Sequence, residues 1–188
     1  MPLQPPTLST SRLKLRDVTA GDADALFAQH SSKHVLRYWD SPPWHEHAQA
    51  ERFITRSAEI ARDELGVRLA VEHHVDGRFI GWCCVAGWNH DFRRATLGYC
   101  FAEHAWGHGF ATEAAAALLD WAFPAMDLNR VDSETDTRNS ASVRVLEKLG
   151  FQHEGLRRED TIVDGEISNS FIFGLLRREW KSPFAKRN

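Results

Sequence analysis

The sequence predicts a single mixed α/β (α+β) domain in the order βααβββαβαββ, and three observations predict it. Segments of apolar-polar alternation meet at Asp76-Gly77 and at Asp164-Gly165, a dipeptide that turns one strand into its antiparallel partner. Residues 97–123, LGYCFAEHAWGHGFATEAAAALLDWAF, run from a short apolar strand through a glycine-spaced loop into a helical segment. The chain has 188 residues, which suits one domain with a sizeable core, and carries no repeat, low-complexity tract or internal linker.

The elements follow in order. Residues 1–10 are rich in proline and are expected as a loosely ordered arm, 11–180 as the domain, and 181–188 as a tail. Alternation over 12–16 predicts the first strand. Thr19-Ala20-Gly21-Asp22 opens a helix with an acidic first turn, and 34–39 is a short helical piece ended by Pro42-Pro43. Residues 45–64 have helical spacing, with Ala50, Phe53, Ile54, Ser57, Ile60 and Ala61 on the inner side. Strands are expected over 67–74, 78–88, 95–101 and 130–136, and the last helix over 139–149. Asn139 is a good N-cap, Gly150 a good stop, and Val143, Leu146 and Leu149 share a face. A terminal hairpin spans 151–161 and 167–176.

Composition excludes several classes. The net charge is −3 and no basic run exceeds a pair, so nothing points to nucleic acid. No apolar stretch approaches the roughly 18 residues of a membrane span. The N-terminus lacks the basic and apolar regions of a signal peptide. Adjacent Cys83 and Cys84, with Cys100, read as small buried hydrophobes of a reduced, cytoplasmic protein.

A strand, a glycine loop and a helix N-terminus together form an anion cradle. The glycines let the backbone approach, and unpaired amides point at the ligand. A nucleoside-triphosphate loop needs Gly-Lys-Ser/Thr, which occurs nowhere. A dinucleotide fingerprint needs a third glycine where Thr112 stands, in an N-terminal βαβ unit. The run Trp106 to Ala111, followed by Thr112-Glu113-Ala114, instead resembles the acetyl-CoA pyrophosphate loop of the GNAT acetyltransferase superfamily. GYCFAEHAWGHGFATEA is similar to the RimJ/RimL-type N-acetyltransferases, in which Trp commonly replaces the Gln or Arg that opens the loop elsewhere. The pattern N-x-x-S-x-x-x-L-E-K-L-G-F, from Asn139 to Phe151, resembles the same family. The two motifs in their expected order are far more specific than either alone.

The resemblance implies a central mixed, mostly antiparallel sheet of about seven strands flanked by helices. It implies direct attack of an amine on the thioester of acetyl-CoA, the co-substrate, in a gap between strands ending near Phe101 and Asp136. Cofactor contacts would come from Tyr99, Cys100 and Phe101, from Trp106, Gly107, His108, Gly109, Phe110, Ala111 and Thr112, and from Asn139 and Ser142. Ser142 is the candidate donor to the departing sulfur. Many relatives carry Glu two residues before the Gly-Tyr, where this chain has Thr96, which cannot act as a base at neutral pH. Glu159 and Asp160 on the terminal hairpin, His90, Asp91 or a water chain are the alternatives. An α-amine (pKa ~8) needs less help than a lysine-like amine (~10.4), so Thr96 favours a low-pKa acceptor.

Tyr38, Trp39 and Trp44 are expected at the acceptor groove, which is open to a small-molecule or peptide amine; most of the seven Trp are expected in the core. No metal site is expected, because His45 and His47 diverge on a helix and His73 and His74 on a strand. The function expected is an N-acetyltransferase, as a monomer or homodimer. The alternative is an acyl-CoA-binding module with little catalysis, motivated by Thr96.

Overall fold

A computed structural model describes residues 3–184. One sheet of eight strands runs through it in the spatial order β1-β2-β3-β4-β5-β6-β8-β7. The strands are β1 (Leu8–Ser9), β2 (Leu13–Asp17), β3 (Gly66–His73), β4 (Phe79–Asn89), β5 (Arg94–Phe101), β6 (Arg130–Asp136), β7 (Gln152–Val163) and β8 (Glu166–Leu176). Every neighbouring pair is antiparallel except β5 and β6. The helices are α1 (Ala23–His30), α2 (Lys33–Leu36), α3 (Ala48–Arg62), α4 (Phe110–Ala125) and α5 (Ser140–Lys148).

Strand alternation sends side chains to two cores. Leu13, Leu15, Leu69, Leu97 and Val131 face α4, whose Ala114, Leu118 and Ala122 are buried against them, while Leu146 of α5 joins the same core. Ala70, Trp82, Cys84 and Cys100 face the other way and pack with Leu26, Leu36 and Ala50 of α1–α3. Adjacent Cys83 and Cys84 therefore fall in different cores, and all three cysteines are free and buried. The expected inner face of the long helix is the one that packs, with Ala50, Ser57, Ile60 and Ala61 buried. No helix among the described residues is long and apolar enough to cross a membrane.

The structure refines the expected strand number, the N-terminal arm and the starts of two helices. The sheet has eight strands, not about seven, because Leu8 and Ser9 pair with Leu15 and Lys14. The expected loose arm over 1–10 is therefore tied down at its end, where the Thr10 hydroxyl also donates to Glu113 at 2.5 Å. The helix expected from Thr19 starts as a 3₁₀ turn, Ala20–Asp22, and the helix expected from His45 begins at Ala48. There the Gln49 side chain accepts the His45 and Glu46 N–H groups and holds the entering chain outside the helix. Residues 1–2 and 185–188 of the expected arm and tail lie outside the described residues.

Candidate active site

The sheet is split at its parallel pair. β5 and β6 pair only from Arg94–Arg130 to Thr96–Asp132. β5 stays bonded to β4 as far as Phe101, and β6 to β8 as far as Asp136, so the two halves diverge as units. At the fork, the Ser133 hydroxyl donates to the Leu97 carbonyl at 3.1 Å and replaces the next ladder bond. Farther up, the Trp106 indole donates to the Phe101 carbonyl at 2.8 Å. Leu97 and Phe101 thus turn their carbonyls toward the split, and two-residue alternation turns the Tyr99 backbone N–H and C=O the same way. Among the described residues those groups have no strand partner on that side, so they can meet an extended amide-bearing ligand.

The loop above the split is shaped by Gly107 and Gly109, both at φ 79. Gly109 caps α4 with no side chain, which leaves the first amides of that helix unfilled. Behind the loop sits Glu113, buried in the first turn of α4. It takes hydrogen bonds from the Thr10 and Ser11 hydroxyls, the Arg12 N–H and the Arg12 guanidinium, with Arg12 Nε at 2.7 Å. Burial pushes the Glu113 carboxyl up, but those bonds outweigh it and hold it below the usual carboxylate range. Arg12 also donates to the His108 carbonyl at 3.0 Å, bracing the loop from the rear while its front stays open.

Across the split, the Asn139 side-chain oxygen accepts the Ser142 N–H at 3.1 Å and caps α5. That use of Oδ1 leaves the amide hydrogens of Asn139 for a ligand. Ser142 Oγ lies 2.9 Å from the Tyr99 hydroxyl. Burial, offset only in part by the Ser142 bond, pushes the Tyr99 phenol well above its ordinary pKa. Tyr99 is therefore a neutral hydroxyl at physiological pH, able to donate or relay a proton but not to act as a base.

These parts enclose a cavity of about 360 Å³ that passes through the split. It brings together Tyr99, Cys100, Phe101, Trp106, Gly107, Gly109, Phe110, Ala111, Thr112, Asn139 and Ser142. His108 is outside, its ring stacked on Phe110 at 5.4 Å. Tyr38 and Trp39 line the cavity on the α1–α3 face, whereas Trp44 stacks on buried His30 at 4.1 Å. Glu159 and Asp160 are not in its wall. Glu159 sits on an irregularity of β7 at φ 53, with its N–H given to Asn169. His90 bonds the Glu64 carbonyl and, with Asp91, belongs to the β4–β5 connection, at the opposite end of β5 from the cavity.

The cavity wall also holds His34, Arg37 and Arg144, none of them singled out by the sequence motifs, and Lys148, which stands in the second motif and reads from sequence as an exposed helix lysine within reach of a cofactor phosphate. Arg37 and His34 pack on Trp106 from α2 and its end, a long-range meeting with no sequence signal. Arg144 and Lys148 stand four apart on α5, so helical spacing from Asn139 contains a legible hint that both face the cofactor side. Among the described residues no group of three or more His, Cys, Asp or Glu is placed to hold a metal ion.

Comparisons with known proteins agree with this geometry. Residues 12–152 match the model of the acetyltransferase (GNAT) domain family. The uncharacterised N-acetyltransferase p20 of Bacillus licheniformis is 32% identical over 174 residues, 93% of this chain and 98% of that protein. Spermidine N(1)-acetyltransferase of Escherichia coli K12 is 24% identical over 172 residues, 92% of this chain and 90% of its own length. The structure of Mycobacterium smegmatis RimJ in complex with CoA-disulfide superposes with a TM-score of 0.83 at 25% identity, covering 93% of this chain and 89% of RimJ. The fold, the split sheet and the matched domain lead to one conclusion: this chain belongs to the GNAT acetyltransferase family, with RimJ/RimL-type relatives, and is an acetyl-CoA-dependent N-acetyltransferase.

Proposed function

We propose that this chain moves the acetyl group of acetyl-CoA directly to a primary amine, either a protein N-terminal α-amine or the amine of a small molecule. The observation that carries the reading is the meeting, in one cavity, of three parts: the uncapped N-terminus of α4, the free Tyr99 backbone in the split, and the Tyr99–Ser142 hydroxyl pair. The amides of residues 110–112 and the helix dipole suit a pyrophosphate. A side chain at Gly107 or Gly109 would need a left-handed backbone that L-residues rarely adopt, which is why the loop is glycine-spaced. The Tyr99 backbone suits the amides of a pantetheine arm. Ser142, with the neutral Tyr99 hydroxyl behind it, can protonate a departing thiolate. Tyr38 and Trp39 then wall the side from which the amine arrives.

Relatives named for spermidine and structures named for RimJ both resemble this chain, so the acceptor class rests on assay. The buried free cysteines support a reducing, cytoplasmic setting. The test is Ser142→Ala. Turnover should fall about tenfold or more while acetyl-CoA affinity holds, because one donor to the leaving group is lost. Unchanged turnover removes Ser142 from the chemistry. Acetyl-CoA binding without transfer to any amine, in the wild-type chain, would favour the binding-module reading that Thr96 motivates.

A further inference from the structure

We infer that the acceptor is a small amine that also carries an anion, a carboxylate or a phosphate, and that Arg37 takes that anion. This rests on the acetyl-transfer reading above and narrows its acceptor class. The cavity at the split is walled from both faces of the sheet. α4, whose N-terminus suits the pyrophosphate, belongs to one core, whereas Leu36 of α2 belongs to the other. Arg37 follows Leu36 at the end of α2 and lines the cavity from that second face, beside Tyr38 and Trp39. Its guanidinium lies 4.8 Å from the centre of the Tyr38 ring and 5.6 Å from that of Trp106. Two aromatic rings thus hold one cation at the wall.

That cation has donors to spare. Among the described residues Arg37 has no carboxylate partner and no hydrogen bond, only its two rings. Arg138 also lies 5.6 Å from the Tyr38 ring, but its guanidinium is taken by Asp136 and Glu166. No aspartate or glutamate among the described residues lines the cavity; its charged side chains are Arg37, Arg144 and Lys148, with His34 beside them. Glu103 meets His34 at 3.4 Å and stands outside the wall. Arg144 and Lys148 belong to α5, whose Leu146 shares the α4 core. Among the described residues Arg37 is therefore the one arginine or lysine of the wall that comes from the α1–α3 face.

Such a wall sorts acceptors by the charge at their far end. A carboxylate or phosphate can take two N–H donors of Arg37 in a fork. A polyamine brings further ammonium groups to a wall with no carboxylate, and an uncharged amide leaves the guanidinium unanswered. Trp106, on which Arg37 rests, donates to the Phe101 carbonyl. That carbonyl lies roughly 7 Å along β5 from Tyr99, so a short chain between anion and amine spans the distance to the thioester. The transfer itself balances: nitrogen forms the C–N bond, the C–S bond breaks, and nitrogen loses one proton as sulfur gains one.

The experiment follows CoA release from the wild-type chain with glycine, β-alanine and γ-aminobutyrate, each beside its amide, and with O-phosphoethanolamine beside ethanolamine. Putrescine, spermidine and an alanine-initiated peptide complete the panel. At least one anionic amine should exceed its uncharged partner by about tenfold or more in kcat/KM, and exceed the polyamines and the peptide. The amino-acid amides carry the less basic amine, so chemistry alone favours them and a preference for the anion reads binding. Which anion wins tells carboxylate from phosphate. Arg37→Gln should raise KM for that acceptor about tenfold, cut its preference to within about twofold, and leave acetyl-CoA affinity as it was by calorimetry. Arg37→Lys should recover part of the preference. Amides, polyamines or peptide that match the anionic amines overturn the inference, and so does a preference that survives Arg37→Gln. An equal loss of acetyl-CoA affinity in Arg37→Gln overturns it too, and makes Arg37 a cofactor contact. In those cases CoA release still upholds the transfer reading. Release with no member of the panel removes the transfer reading itself, and this inference with it.

Discussion

Helix α4, whose N-terminus enters the candidate site, and strand β7, at the sheet edge outside its wall, could hardly differ more. Nine residues of α4 are buried, including Glu113, whereas no residue of β7 is. α4 lies against the first core and presents only its N-terminus to the site. β7 lies at the sheet edge and offers arginines, carboxylates and the exposed Leu156 and Ile162. In the proposed reading the cofactor half of the site is thus built from backbone held by a core, and the acceptor wall from Tyr38 and from Trp39, which packs on the second core.

The sharpest way to break this contrast is by truncation. Leu118→Ala, at a fully buried position of α4, should cost about 3 kcal/mol of stability, while Ile162→Thr, 67% exposed, should stay within about 0.5 kcal/mol. Urea denaturation of both variants measures it, and equal losses would erase the distinction. A loss of similar size is expected from pH. Burial, reinforced by nearby Arg68 and only partly offset by the Leu26 carbonyl, pushes His30 down to about 4 from 6.5. The unfolded chain therefore binds a proton between pH 6.5 and 4 that the folded chain refuses. Stability should be whole above pH 6.5 and fall by up to about 3 kcal/mol as pH drops to 4, with no further loss from this residue below that. His30→Leu should flatten the slope, and a slope that survives would mean another group titrates.

Gly109→Glu probes the backbone half directly. It forces a left-handed φ on an L-residue and sets negative charge at the α4 N-terminus. Acetyl-CoA affinity should fall about a hundredfold, close to 2.7 kcal/mol, by calorimetry. Retained affinity would mean the anion binds elsewhere. The smallest effect is expected from Asn139→Ala, about 1 kcal/mol of stability for a lost cap, with a weakened KM for acetyl-CoA if its amide also meets the ligand.

The same contrast governs what the sequence discloses. Gly107, Gly109 and Asn139 are readable because a left-handed turn and a helix cap each demand a narrow set of residues at fixed spacing. Strand order followed from alternation and the two Asp-Gly turns. What stayed hidden depends on distant partners. Thr10 and Arg12 reach Glu113 across a hundred positions of chain, which no local pattern announces. Trp44 read as a groove residue because aromatic side chains serve core and cleft alike, and only the stack on His30 places it.

The most direct test of the central claim, that the split beneath the α4 loop is an acetyl-transfer site, is calorimetric titration with acetyl-CoA followed by CoA release with a panel of amines in the same cell. The account predicts micromolar binding, on the order of −8 kcal/mol, and CoA release with one amine class. No binding to the wild-type chain would contradict it.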